Sequence, residues 1–190
     1  CEPKALFVES AFIVKFETVR NLLSIPCLVA IGATCDGWLG YNHLLNSSEF
    51  HIKGKGAYED PALICYTSGA TGIPKGVVLT QSALLFNAIN SIHMHQLTAK
   101  DRILTTIPLF HVGGLNVQTL PGLHIGAAIF LQRTFEPTAT FRDLIEHEIT
   151  LTVLVPAQLQ AMINHSDWSE ADLSRLRSVT TGSTFVPHRF

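Results

Sequence analysis

Short apolar runs alternate with longer amphipathic segments along most of the chain. The short runs predict strands near residues 4–8, 27–31, 62–66, 77–79, 102–106, 127–131, 150–154 and 176–181. The amphipathic segments predict helices over residues 10–23, 80–95, 135–146 and 156–164, with a further apolar helix that ends near residue 126. Strands that alternate with helices are typical of an α/β fold, in which a largely parallel sheet carries helices on both faces.

Two features refine this pattern. Residues 32–61 are rich in Gly, Asn and Ser and predict a crossing segment or surface loop. Thr80 is suited to cap the helix that runs to about residue 95, whose apolar face includes Leu84, Ala88 and Ile92.

The most informative segment is residues 67–76, which lies between two apolar runs that we expect to be buried strands. It contains three glycines, three hydroxyl side chains, one proline and one lysine. Glycines allow backbone N–H groups to approach an anion, hydroxyls add donors, and Lys75 adds a positive charge. An exposed Gly/Ser hairpin is the alternative, but the mixture favours a loop that binds a polyphosphate.

This segment is not the phosphate-binding loop of the common nucleotide triphosphatases. That motif has the spacing G-x-x-x-x-G-K-[ST]. Counting from Gly69, position 74 is Pro rather than Gly, and position 76 is Gly rather than Ser or Thr. The following segment also predicts a strand instead of a helix.

Residues 108–114 form a second candidate element, with the sequence Pro-Leu-Phe-His-Val-Gly-Gly. They follow a predicted strand, where ligand crevices form in parallel sheets. A single histidine among apolar residues is usually a core residue. Together with the glycine-rich loop, His111 is instead a candidate for the functional site.

Composition limits the possible partners and locations. The 190 residues are 47% hydrophobic and 15% charged, and the net charge of −2 gives no basic stripe for nucleic acid. The longest apolar stretches are far shorter than the ~18 residues of a membrane-spanning helix, so we expect no membrane span. The four cysteines show no CxxC pair, which favours reduced thiols and a cytoplasmic location. His93 and His95 have poor spacing for a shared metal ion on a helix, so no metal-ligating residue is predicted.

Residues 66–76 resemble, position for position, the signature of the adenylate-forming (AMP-binding) superfamily, which includes acyl- and aryl-CoA synthetases, peptide-synthetase adenylation domains and luciferases. Ala70 stands where that signature usually has Ser or Thr. Residues 108–114 resemble the Pro-Leu-Phe-His-x-x-Gly element of acid–CoA ligases, whose histidine borders the acyl and thioester site. Residues 176–187 resemble the family's strand and turn beside the adenine; Gly182 is kept, whereas Ser183 and Thr184 replace Gly and Ala.

The resemblance implies ATP-dependent activation of a carboxylic acid, fatty or aryl, to an acyl-adenylate, followed by transfer to coenzyme A. It implies that His111 is catalytic and that His111, Val112, Gly113 and Gly114 bind the acid. It also implies that ATP is held by Thr67, Ser68, Gly69, Ala70, Thr71, Gly72, Lys75, Gly182, Ser183 and Thr184.

The same resemblance makes the chain part of a larger N-terminal domain, with both ends cut and the C-terminal lid domain absent. The carboxylate that binds magnesium, Mg²⁺, is expected after Phe190, so the 190 residues alone are expected to be inactive. Two alternatives stay open: an adenylation domain that loads an acid onto a carrier protein, and a nucleotide-binding module without catalysis. The identity of the acid and the oligomeric state cannot be read from the sequence.

Overall fold

A computed structural model of the chain describes residues 2–32, 35–46, 54, 56–69 and 72–186. The chain divides into two compact units, Cys1–Gly54 and Lys55–Phe190. Each unit contains parallel strands connected by helices. This arrangement confirms the predicted α/β class.

The first unit contains a three-stranded parallel sheet in the order β1-β2-β3. Its elements are β1 (Ala5–Glu9), α1 (Ser10–Glu17), β2 (Cys27–Ile31), β3 (Leu39–Gly40) and α2 (Tyr41–Leu45). Apolar side chains from the strands and α1 pack around Trp38, whose indole N–H donates to Glu17 at 2.9 Å.

Two sequence predictions for this unit are wrong in detail. The helix expected over residues 10–23 ends at Glu17, where the β-branched Thr18 and Val19 disfavour its continuation and the Thr18 hydroxyl donates to Lys15 O at 2.8 Å. A separate 3₁₀ turn follows at Arg20–Leu22. The loop expected over residues 32–61 contains β3 and α2, while residues 47–53 lie outside the described part of the chain.

The second unit begins with an antiparallel hairpin of β4 (Pro61–Thr67) and β5 (Lys75–Thr80). Both strands are where the sequence predicts them, but the expectation that they are buried is wrong. Ile64, Val77 and Val78 are between 42% and 51% exposed, and the described residues pair β4 and β5 only with each other. The apolar composition of the two segments predicted the strands, but it could not show whether other residues cover their side chains.

Helix α3 (Gln81–His95) follows the hairpin directly. The Thr80 hydroxyl accepts from the Ala83 N–H at 3.1 Å, which confirms the predicted cap. The helix ends at Gln96, which adopts a left-handed conformation with φ of 51°.

A four-stranded parallel sheet, in the order β7-β6-β8-β9, forms the rest of the unit. Its strands are β6 (Arg102–Thr105), β7 (Ala128–Leu131), β8 (Leu151–Leu154) and β9 (Ser178–Thr181). Between β6 and β7 the chain forms α4 (Val112–Gly114), a π-helical turn (Leu115–Thr119) and α5 (Leu120–Ile125). Helices α6 (Pro137–Glu146) and α7 (Pro156–Ile163) flank β8 in sequence.

Helices cover both faces of this sheet, as the sequence predicts. Ile103 and Leu104 are adjacent on β6, so their side chains point to opposite faces. Ile103 packs in a cluster with Ile92 of α3 and Ile125 of α5. Leu104 packs in a separate cluster with Phe141 of α6 and other residues of α6 and α7.

Arg177 ties α3 to the sheet. Its guanidinium donates to the His95 and Gln96 carbonyls at the end of α3, each at 2.9 Å. The same group pairs with both carboxylate oxygens of Asp101, each at 3.0 Å, and Asp101 also accepts from Thr150 at 2.7 Å. One ion pair therefore joins the end of α3, the start of β6, the start of β8 and the start of β9.

The Asp101 carboxylate is strongly stabilised in its charged form. Burial raises the pKa of Asp101, but hydrogen bonds from Arg177, Thr150 and Thr98 outweigh this effect and lower the pKa from 3.8 to about 2. Because the folded-state pKa is the lower one, the carboxylate stabilises the fold above pH 3.8. This contribution is lost as the pH falls through about 2.

We predict that Asp101→Asn lowers the free energy of unfolding at pH 7 by about 2 kcal/mol, the equivalent of the pKa shift. The difference between wild type and variant should shrink as the pH falls from 4 towards 2. Chemical denaturation at a series of pH values measures both effects.

Glu148→Gln is the matched control, because Glu148 also pairs with an arginine at 3.0 Å but both side chains are more than half exposed. Loss of this ion pair in Glu148→Gln should lower the free energy of unfolding by less than about 0.5 kcal/mol. Equal effects of the two substitutions would show that Asp101 is only another surface carboxylate.

Candidate functional site

The glycine-rich segment forms the tip of the β4–β5 hairpin. Gly69 and Gly72 have φ of 64° and 78°, and the Gly72 N–H donates to Gly69 O at 3.2 Å. A Cβ atom on Gly69 would lie 2.2 Å from Ile73 O, so no other residue fits this turn. Ala70 and Thr71 lie outside the described residues.

Thr67 and Lys75 face each other where the hairpin enters the loop. Thr67, Ser68 and Lys75 are exposed, and no acidic side chain of the described residues forms an ion pair with Lys75. The loop therefore presents an ammonium group and two hydroxyls beside a tight glycine turn. This donor set suits an anion with several oxygens.

His111 begins the helical segment that follows β6. Its Nδ1 accepts from the Gly113 N–H at 2.9 Å, so a neutral ring carries its proton on Nε2. The ring is exposed, and Nε2–H is available to a ligand oxygen. The sequence placed His111 after a strand correctly, but gave no sign that it caps α4.

The two glycines after Val112 allow the chain to turn tightly. A Cβ atom on Gly114 would lie 2.3 Å from Pro108 O and 2.6 Å from Ile107 O, so only glycine fits here. Gly114 is buried and Gly113 is partly buried. Cys65 of β4 contacts this segment through a weak hydrogen bond from its Sγ to Phe110 O, at 3.6 Å.

Side chains of α3 hold the π-helical turn in place. Asn87 donates to Asn116 O at 2.7 Å, and the Ser91 hydroxyl donates to Val117 O. These bonds occupy backbone carbonyls in a turn with an irregular bonding pattern, and such turns often occur at functional sites. Gln118, in the same turn, donates to the Thr180 hydroxyl of β9 at 3.0 Å.

A cleft of about 640 Å³ lies between α3, the start of α4 and the π-helical turn. His111, Val112, Gly113 and Ser183 line it together. The structure thus brings residues from the second and third sequence motifs to one cavity. One face of α3 forms the opposite wall, through Ala83, Leu84, Asn87, Asn90, Ser91, Met94 and His95.

Several other candidate residues do not line the cleft. Gly182 and the exposed Thr184, which flank Ser183 in sequence, are both outside its lining. Ser183 itself has a positive φ of 74°. The residues of the hairpin tip do not line it either; β5 contributes only Leu79. The hairpin tip and the cleft are therefore separate parts of the candidate site.

The polar wall of the cleft was not predicted from the sequence. Asn87, Ser91 and His95 follow one another at intervals of four residues, which places them on one helical face. This spacing is a usable sequence signal for a polar helical face. Asn116 gave no comparable signal, because its position depends on the π-helical turn.

The structure offers no metal site or membrane segment in its described part. Within residues 2–32, 35–46, 54, 56–69 and 72–186, no three His, Cys, Asp or Glu side chains are grouped to hold a metal ion. No helix in these ranges is long and apolar enough to cross a membrane.

Comparison with known proteins identifies relatives of the chain. An indoleacetate–CoA ligase from Aromatoleum aromaticum is 51% identical over 191 residues, which cover all of this chain and 38% of the relative. A feruloyl-CoA synthase from an Amycolatopsis species is 38% identical over 129 residues, covering 68% of this chain and 26% of the relative. The chain thus spans well under half the length of these curated relatives.

Solved structures support the fold. The anthranilate CoA ligase AuaEII, in complex with anthranoyl-AMP, matches with a TM-score of 0.89 and 23% identity over 98% of this chain and 37% of that one. The family model for AMP-binding enzymes matches residues 1–189. The chain therefore belongs to the AMP-binding enzyme family.

Proposed function

We propose that the chain carries the phosphate-binding loop and the acid-binding cleft of an AMP-forming aryl acid–CoA ligase. The observation that carries this proposal is the cleft that joins His111, Val112 and Gly113 to Ser183. Two relatives named above are ligases or synthases of aryl acids, which favours an aryl over a fatty acid.

In the proposed reaction, a carboxylate oxygen of the acid attacks the α-phosphorus of ATP, and the bond to pyrophosphate breaks. The thiol of coenzyme A then attacks the acyl carbon, its proton is lost and AMP leaves. The first step moves charge between oxygens and the second moves charge from the thiol sulfur to a phosphate oxygen of AMP, so the protein acts mainly by positioning the reactants and stabilising charge.

The hairpin tip is proposed to hold the β- and γ-phosphates. The hydroxyls of Thr67, Ser68 and Thr71 and the backbone N–H groups of Gly69, Ala70 and Gly72 would donate to phosphate oxygens. Lys75 would offset part of the pyrophosphate charge. The exposed position of Thr67, Ser68 and Lys75 supports this assignment. The Thr67 hydroxyl donates only a long bond to Lys75 O at 3.5 Å, which a phosphate oxygen would have to replace.

His111 is proposed to bind the reacting carboxylate. Its Nδ1 is occupied by the Gly113 N–H, which leaves Nε2–H as the donor towards the cleft. Gly113 leaves space beside the ring for the acid, with Val112 as an apolar contact. Gly114, predicted to bind the acid as well, does not line the cleft, because it is buried against Pro108 O and Ile107 O and only permits the tight turn. Gly182, Ser183 and Thr184 are proposed to lie beside the base and the adenylate.

Magnesium is expected with ATP, but the described residues offer no group of three possible ligands for it. The roles proposed here therefore belong to the chain's own side chains.

We also propose that the 190 residues form part of an N-terminal domain in a longer enzyme, because they cover only 38% of the indoleacetate–CoA ligase. A cytoplasmic location stays a prediction.

Transfer to a carrier protein, instead of coenzyme A, shares the adenylation step and the same site. A catalytically inactive nucleotide-binding module would keep the hairpin tip but form no thioester. Product analysis with coenzyme A as the only acceptor separates the three possibilities: acyl-CoA indicates the CoA ligase, acyl-adenylate without acyl-CoA indicates a carrier-loading domain, and neither product indicates an inactive module.

We predict that Lys75→Ala, in the complete enzyme, lowers acid-dependent exchange of pyrophosphate into ATP by roughly 10- to 100-fold. The reason is that one charge-assisted contact to the phosphates is lost. The acids tested should include indole-3-acetate, ferulate and a long-chain fatty acid, and exchange should require an aryl acid.

Lys100→Ala is the control, because Lys100 is an exposed lysine in the turn before β6. It should leave exchange unchanged. If Lys75→Ala exchanges pyrophosphate as fast as the control, the hairpin tip does not bind the phosphates.

We predict that His111→Ala lowers kcat/KM for the acid by about 10-fold or more while the KM for ATP changes little. The exposed ring contributes little to the core and only its cap bond from the Gly113 N–H is lost, so the melting temperature should fall by no more than about 4 °C. Steady-state kinetics and calorimetry on one preparation measure the three quantities.

His124→Ala provides the comparison, because His124 is exposed on α5 and does not line the cleft. It should change none of these values. A His111→Ala variant with a much lower melting temperature and normal kcat/KM would identify His111 as a structural residue.

A further inference from the structure

Asn87 lines the cleft with one end of its side-chain amide fixed by the fold. Its Nδ2 donates to Asn116 O, in the π-helical turn, at 2.7 Å. A backbone carbonyl can only accept, so this bond decides which end of the amide is the nitrogen and which is the oxygen. The orientation of the Asn87 side chain therefore follows from the position of the turn.

The other end of the amide, Asn87 Oδ1, is open. No donor among the described residues bonds to this oxygen, and it is not one of the buried side-chain atoms that lack a partner. It is therefore accessible from outside the protein, in a residue that lines the cleft. A carbonyl-type oxygen accepts up to two hydrogen bonds, so Oδ1 can receive an N–H or O–H of a ligand.

Two neighbouring polar side chains of α3 are less suited to this task. Ser91 is only 8% exposed, and its hydroxyl proton is donated to Val117 O. Asn90 is exposed at the cleft, but its side chain forms no hydrogen bond with the described residues. A ligand would have to order the Asn90 amide, which costs free energy, whereas the Asn87 amide is already ordered.

Asn87 is held at some distance from His111. Asn116, its partner, lies five residues after His111, an axial rise of roughly 7 Å at the α-helical value of about 1.5 Å per residue. An acid whose carboxylate is at His111 would thus present its ring to Asn87, and not its carboxylate.

The apolar surface near Asn87 makes the open oxygen selective. Leu84, Met94 and Val117 line the cleft together with it, and they favour an apolar ring over water. A ring that covers Oδ1 removes the water that hydrates it. A donor on the ring replaces the lost hydrogen bond, whereas a ring without a donor leaves Oδ1 unpaired at a cost in free energy.

We propose that Asn87 is a specificity-determining residue, whose Oδ1 accepts a hydrogen bond from an N–H or O–H group on the ring of the acid. The cleft then favours aryl acids with such a donor over acids of the same shape without one. The inference rests on the proposed function, because it assumes that the acid occupies this cleft. It goes further by naming the group of the acid that is recognised and the atom that recognises it.

The test compares two acids of nearly equal shape in the complete enzyme. Indole-3-acetate has a ring N–H, and 1-benzothiophene-3-acetate has sulfur in its place. We expect kcat/KM to be about tenfold higher for the indole acid, because only this acid pairs with Oδ1. The ratio is independent of the fraction of each preparation that folds, since both acids are measured on the same preparation.

Two substitutions separate the acceptor from the bond to the turn. Asn87→Leu removes both, and it should bring the ratio close to one. Asn87→Asp keeps an oxygen acceptor but cannot donate to Asn116 O. It should lower kcat/KM for both acids and leave the ratio well above one.

Asn90→Leu is the matched control, because Asn90 is also an asparagine of α3 that lines the cleft. It should leave the ratio unchanged. A structural role of Asn87 would lower kcat/KM for the two acids equally, and so would not change their ratio.

Equal kcat/KM values for the two acids in wild type would overturn the inference. A ratio that Asn87→Leu leaves unchanged would overturn it too, as would a ratio that falls to one in Asn87→Asp or in Asn90→Leu. If other acids are activated and neither of this pair is, the inference fails while the proposed function stands. If no acid supports pyrophosphate exchange, the proposed function itself fails.

Discussion

The position of α3 is the constraint on which the rest of the second unit depends, and Arg177 sets it. One guanidinium binds the last carbonyls of the helix and the Asp101 carboxylate at the start of β6. A half-buried ion pair of this kind gains only a modest net free energy, because both charges lose water. Its value here is geometric, since it fixes the end of the helix relative to three strands of the sheet.

A helix fixed in this way serves two surfaces at once. Its apolar face packs against the sheet through Ile92, and Ala88 is buried, whereas Asn87, Ser91 and His95 line the cleft. Asn87 and Ser91 also hold the π-helical turn, so the shape of the cleft follows from the position of α3. Gly114 allows α4 to begin against the carbonyls of Ile107 and Pro108, which places His111 at the same cavity. The proposed acid site is thus built from local turns attached to a rigid sheet.

The sequence predicted the strands of the main sheet, the cap at Thr80 and the two glycine-containing segments, because each depends on local chemistry. The sequence led to the wrong expectation that β4 and β5 are buried, because apolar residues show only that a strand can be buried and not that other residues cover it. It also could not reveal that Arg177 reaches α3, a contact between residues more than 80 positions apart. Of the candidate residues, His111 and Ser183 meet at one cleft, whereas Asn116 was missed because its place in the cleft wall depends on the π-helical turn.

The most direct test of the proposed site is a crystal structure with an acyl-adenylate analogue, in which a sulfamate replaces the phosphate between adenosine and indole-3-acetate. The proposal predicts the indole ring in the α3 cleft, the acyl oxygen beside His111 and the sulfamate close to Ser183. An indole ring outside the cleft, with no contact to His111, would contradict the proposed site.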